Sequence, residues 1–130
     1  MISEARKQAK KRYSKTEKGR EARRGYMKKY LSTPKGKQKL LEAVHRSQHK
    51  TKLAVLTHYS NGKCACVRCG ESDINCLTID HMKAVQGGER IRPGYFYRWL
   101  IKNNFPEGYQ TLCMNCHWRK RAEEKEYRLT

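Results

Sequence analysis

The sequence predicts an α+β protein: a small, zinc-stabilised strand-and-helix domain preceded by a basic helical arm. Three observations predict it. Cysteines fall in two matched C-x2-C pairs, Cys66/Cys69 and Cys113/Cys116. The charge is lopsided, with eighteen Lys and Arg against four acids in residues 1–60, and twelve against eight in residues 61–130. The first forty residues also repeat, "KRYSKTEKGRE" at 11–21 aligning with "KKYLSTPKGKQ" at 28–38 at an offset of 17.

The repeat gives the arm its elements. Tyr13, Thr16, Lys18 and Gly19 align with Tyr30, Thr33, Lys35 and Gly36. Thr16 and Thr33 sit where N-caps belong. Glu17 and Pro34 follow at the first helical position, where an acid suits the helix dipole and proline lacks an N–H that would be orphaned anyway. Each copy therefore reads as cap, helix and short turn. The third helix starts at Pro34 and runs through "KLLEAVHRSQ". A separate helical stretch, "TKLAVLTHY" at 51–59, carries enough apolar residues to dock on a small domain. The expected organisation is an arm over 1–50 and a compact domain over 51–130.

Asn61-Gly62 breaks the chain by a turn. Beyond it "CACVRCGE" is a cysteine turn and "NCLTIDH" a short strand. "GGERIRPG" reads as a loop whose Gly87-Gly88 lies near the site. "YFYRWLIKNN" is a short amphipathic helix burying Phe96, Trp99 and Leu100. Residues 104–108 turn the chain, "YQTLC" is a second strand, and a last helix follows from Cys116 with Trp118 packing it onto the strands.

Only 37% of the residues are hydrophobic and the formal charge is +18, so a large core is excluded and a polyanionic partner expected. No apolar run approaches the roughly 20 residues needed to span a bilayer, and the N-terminus has no apolar signal core. An intracellular, cytoplasmic protein without a membrane partner is expected. In a reducing compartment the cysteines read as metal ligands rather than disulfides. Two C-x2-C turns complete a tetrahedral S4 site, so Cys66, Cys69, Cys113 and Cys116 are expected to hold a structural Zn²⁺ that supplies folding energy. Cys64 could compete as a ligand, and Cys76 reads as a buried thiol.

That zinc would hold His117 close to the first strand, which ends in Asp80-His81. An Asp80 oxygen and a His117 nitrogen suit a divalent cation of the Mg, Mn or Zn kind. His81, with an ordinary pKa near neutrality, could take a proton from water.

The run "CVRCGE…CLTIDHMKAVQGG…YRWLIKNNFPEGYQTLCMNCHWRK" resembles the HNH endonucleases with a zinc-ribbon-supported ββα-metal core, particularly the small enzymes of bacteriophages and mobile elements. The resemblance covers about residues 64–121, roughly half the chain. It implies a metal-dependent DNA endonuclease in a bacterial host. His81 would be the general base, and Asp80 and His117 would hold a catalytic Mg²⁺ or Mn²⁺. The family's central Asn departs here: Gly108 occupies its place before the second strand, and Asn104 is the residue that could substitute from the loop. Double-stranded DNA would be the partner, gripped through Lys18, Arg20, Arg23, Arg24, Lys28, Lys29, Lys35 and Lys37 of the arm and Arg119, Lys120 and Arg121 of the last helix. Gly19 and Gly36 could permit close approach to a phosphate. A homodimer or a complex with other phage proteins stays open, as does the alternative of a catalytically silent, zinc-stabilised DNA-binding module.

Overall fold

The computed structural model describes residues 1–83 and 91–124. Gly87-Gly88 and the end of the expected last helix lie outside them. The order is α1 (Glu4–Lys15), α2 (Glu17–Ser32), α3 (Pro34–His58), β1 (Leu77–His81), α4 (Pro93–Lys102), β2 (Tyr109–Cys113) and α5 (Met114–Glu123). Two compact units emerge, Met1–Arg46 and Ser47–Thr130, with α3 contributing residues to both. No helix of the described residues is long and apolar enough to cross a membrane.

In the first unit a single extended residue separates successive helices. Thr16 (φ −73°, ψ 157°) and Thr33 (φ −78°, ψ 150°) each end one helix and cap the next. Each hydroxyl acts twice. Thr16 Oγ1 accepts from the Gly19 N–H at 3.1 Å and donates to the Tyr13 carbonyl at 2.7 Å. Thr33 does the same with Gly36 at 3.0 Å and Tyr30 at 2.7 Å. This satisfies an orphan donor of the new helix and a carbonyl of the old one with one side chain. The glycines complete the joint, because a Cβ at Gly19 or Gly36 would overlap the carbonyl oxygen of Tyr13 or Tyr30. Their role is therefore corrected: the close approach they permit is between two segments of this backbone, not to a phosphate. Arg20, one of the expected DNA cations, also bonds the Lys15 carbonyl through Nε and Nη2 at 3.2 and 2.7 Å.

Residues 34–58 form one helix, where the sequence suggested two stretches. Nothing between Ser47 and Thr51 breaks a helix, since the segment holds neither glycine nor proline.

The second unit is built on a two-stranded antiparallel sheet. Leu77 pairs with Cys113, Thr78 with Leu112, Ile79 with Thr111, Asp80 with Gln110, and His81 with Tyr109. Its core comprises Val55, Leu56, Leu77, Ile79, Leu100 and Leu112, together with Cys66, Cys113 and Cys116. Phe96 and Trp99 of α4 are partly buried against it. The end of α3 is tied to β2 by backbone: the Thr111 N–H donates to the Tyr59 carbonyl at 3.0 Å, and Thr111 Oγ1 to the Leu56 carbonyl at 2.9 Å. Two expectations of burial are corrected. Cys76 is exposed, because it precedes the paired segment of β1 rather than lying in it. Trp118 is 52% exposed rather than buried, its ring covered on one side by the Arg121 guanidinium 5.0 Å from the centroid.

Candidate metal centre and acid–histidine site

The four paired cysteines converge. All their sulfurs lie within 4.8 Å of one another, and Cys69 Sγ stands 3.6 Å from Cys113 Sγ. A tetrahedral ion with Zn–S bonds of about 2.3 Å holds its sulfurs about 3.8 Å apart, so the set fits a metal such as zinc. Local chain geometry makes this possible. The first turn is closed by the Gly70 N–H donating to the Cys66 carbonyl at 2.9 Å, and the Val67 N–H fastens it to the Thr111 carbonyl of β2 at 3.0 Å. At the second turn Cys113 is itself the N-cap of α5, its sulfur accepting from the Cys116 N–H at 3.4 Å. The helix therefore starts at Met114, two residues earlier than the sequence suggested, and His117 is its fourth residue.

The thiols sit in contrasting fields. Burial pushes Cys66 up, but hydrogen bonds from the backbone at Cys113, Cys69 and Arg68 outweigh it and hold the group at about 6. Burial, reinforced by bonds to Cys113, Cys69 and Cys66, pushes Cys116 up to about 12. One thiolate is favoured while its neighbour resists ionisation. A cation among the sulfurs removes that conflict by stabilising every thiolate at once.

Alongside lies Asp80, only 3% exposed. Its Oδ1 is 3.3 Å from His117 Nε2, so the structure brings together two residues that stand 37 positions apart in the sequence. Two further partners were not foreseen. Gln110 Nε2 donates to Asp80 Oδ2 at 2.8 Å. Lys120 Nζ lies 3.2 Å from Oδ2 and 3.4 Å from Oδ1. The lysine is 2% exposed and also donates to the His81 carbonyl at 2.7 Å, with Glu124 3.3 Å away. Its assignment to a DNA-facing surface is thus corrected. It follows Cys116 by four residues and His117 by three, which places it on the helix face turned toward the metal ligands and β1. That spacing was the available signal for Lys120. For Gln110 it was the strand register, which sets it opposite Asp80.

His81 stands apart from this cluster. Neighbouring strand residues point to opposite faces, and its exposed imidazole lies beside Tyr109 (4.9 Å between ring centroids) and Phe96 (6.1 Å). Asn104 is exposed and adopts φ +55° in the turn that ends α4, its N–H donating to the Ile101 carbonyl at 3.1 Å. Among the described residues its side chain makes no hydrogen bond. Gly108 has φ +97°, a conformation in which an asparagine would be strained, and its carbonyl accepts from the Met82 N–H at 2.8 Å. The remaining expected cations, Lys18, Arg23, Arg24, Lys28, Lys29, Lys35, Lys37 and Arg119, are all exposed, and Arg121 is half-buried. Compared with protein-family models, curated proteins and solved structures, the chain matches none.

Proposed function

We propose that this protein is a metal-dependent endonuclease of the HNH type, hydrolysing DNA phosphodiesters at the edge of a zinc-stabilised ββα core. The observation that carries the reading is the 3.3 Å approach of Asp80 Oδ1 to His117 Nε2 beside the four-cysteine cluster. Two ligands in neighbouring octahedral positions at about 2.1 Å from a cation stand about 3.0 Å apart, close to this separation. Asp80 and His117 would hold Mg²⁺ or Mn²⁺, which would polarise the scissile phosphate and stabilise charge on the leaving oxygen. His81 presents an exposed imidazole to solvent and takes the proton from the attacking water as the new P–O bond forms. Because the imidazole deprotonates the water, one cation suffices. The exposed cations of α1–α3 hold the duplex by its phosphates, with affinity falling steeply as salt rises.

The test is plasmid cleavage with Mg²⁺ or Mn²⁺ by zinc-loaded protein, wild type beside His81→Ala. Nicked or linear product from wild type alone is expected, with zinc content and DNA affinity unchanged in the variant. Equal cleavage by both would remove His81 from the chemistry. One observation favours a second reading, a DNA-binding module without chemistry: the Asp80 carboxylate already has Lys120 and Gln110 as partners. DNA binding without cleavage under any divalent ion would select that reading.

A further inference from the structure

A lysine with 2% exposure beside the proposed cation ligands has no part in the scheme above. An ammonium withdrawn from water is costly unless oppositely charged and polar groups surround it. Here they do, and they are specific: Asp80, Glu124 and the His81 carbonyl.

We infer that Lys120, assisted by Gln110, is a positioning residue that holds the Asp80 carboxylate in place beside His117 and clamps the backbone of His81. The inference rests on the proposed cation site. A carboxylate otherwise rotates about its last bond and offers either oxygen. Gln110 holds Oδ2 at 2.8 Å, and Lys120 lies against both oxygens, 3.2 Å from Oδ2 and 3.4 Å from Oδ1, so the carboxylate plane is fixed with Oδ1 facing His117 at 3.3 Å. The ammonium also donates at 2.7 Å to the carbonyl of His81, the residue that carries the base. One side chain thus fixes both the ligand and the backbone of its neighbour. Lys120 also rides on α5 with His117, one helical turn away, so anchor and ligand are set by the same rigid element. Such partners of a metal ligand typically change metal affinity about 10- to 100-fold when removed.

A rival account has the opposite sign. If the ammonium merely occupied the place of the divalent cation, removing it would tighten binding.

The experiment is a Mn²⁺ titration of the zinc-loaded full chain, followed by electron paramagnetic resonance, on wild type, Lys120→Met and Gln110→Leu. Plasmid cleavage is measured against Mn²⁺ concentration on the same samples. Lys120→Met is expected to retain four-cysteine zinc binding while its Mn²⁺ Kd, and the half-saturating Mn²⁺ in cleavage, rise at least about tenfold. Gln110→Leu should move both in the same direction by less, and it stands in if Lys120→Met fails to fold. A merely structural lysine would lower the unfolding temperature and leave Mn²⁺ affinity of the folded fraction unchanged, which overturns the inference. Tighter Mn²⁺ binding in Lys120→Met overturns it in favour of competition. Wild type that neither binds Mn²⁺ nor cleaves would overturn the cation site itself, and this inference with it. Failure of the variants to differ, with wild type active, overturns only this inference.

Discussion

The two units of this chain are ordered by opposite means. In the first, α1 buries no residue and α2 buries only Gly19, while Tyr13, Tyr26, Leu40, Leu41 and Val44 remain exposed. Its definition comes from short-range bonding: two copies of a Tyr–Thr–Gly joint spanning seven residues each. In the second, the decisive contacts join residues far apart, Cys66 and Cys69 to Cys113 and Cys116, Asp80 to His117 and Lys120. The comparison teaches that a chain poor in apolar residues can reach order either by repeating a local device or by concentrating polar and sulfur contacts around one small core. Only the second builds a chemical site.

The sharpest way to break the comparison is to remove metal. If the four cysteines hold zinc, chelating it or replacing Cys113 with Ser should unfold the second unit, since a structural zinc contributes on the order of 10–16 kcal/mol of folding free energy. The first unit holds no cysteine and should keep its helices. Amide exchange resolves this: protection should vanish in 77–81 and 109–113 and persist in 17–32. Loss of protection in both would show that the arm depends on the core.

The complementary blow is Gly36→Val or Gly19→Val. The new side chain meets a carbonyl oxygen of the preceding helix, backbone that cannot swing aside. The joint must open, at a cost of about 1–3 kcal/mol typical of overpacking. Exchange should accelerate around residues 13–20 or 30–37 while zinc content stays constant. A smaller effect of the same kind comes from Thr16→Ala or Thr33→Ala, about 1 kcal/mol each for a lost N-cap. The two threonines should behave alike, because both hydroxyls make the same pair of bonds.

What could be read from the sequence follows the same division. The joints were legible because their determinants lie within seven residues and occur twice: threonine at the cap, glycine three later. The phosphate role assigned to those glycines failed for lack of the one fact a sequence withholds, that the preceding carbonyl folds back onto the new helix. In the second unit the C-x2-C pairs were legible from their spacing, and the strands at 77–81 and 109–113 as short β-prone stretches between turns. Lys120 was legible only through its spacing, four residues after Cys116 and three after His117, and its place between two arginines, the composition of a solvated face, masked that signal. Gln110 was hidden for a related reason, since its partner depends on strand register rather than on its own neighbours.

The smallest effect concerns Tyr59, which ties the end of α3 to the turn before β2. Its hydroxyl donates to the Pro106 carbonyl at 2.7 Å, and its ring meets Phe105 and Tyr109 edge-on. Burial, with a lesser contribution from the Tyr109 hydroxyl, pushes its pKa from the ordinary 10 up to about 12. The sign follows from proton counting. Between pH 10 and 12 the unfolded chain releases the phenolic proton while the folded chain retains it, so stability from this group is complete below about pH 10 and is lost as pH rises toward 12. Tyr59→Phe keeps the ring contacts and removes both the hydrogen bond and the titration. At neutral pH it should cost about 1 kcal/mol in denaturant unfolding of the zinc-loaded protein. Above pH 10 the gap between wild type and variant should close, because only wild type carries a proton whose retention on folding becomes a penalty. A gap that stays constant to pH 12 would mean that the phenol titrates alike in both states, and that this corner of the second unit is wetter than its hydrogen bond implies.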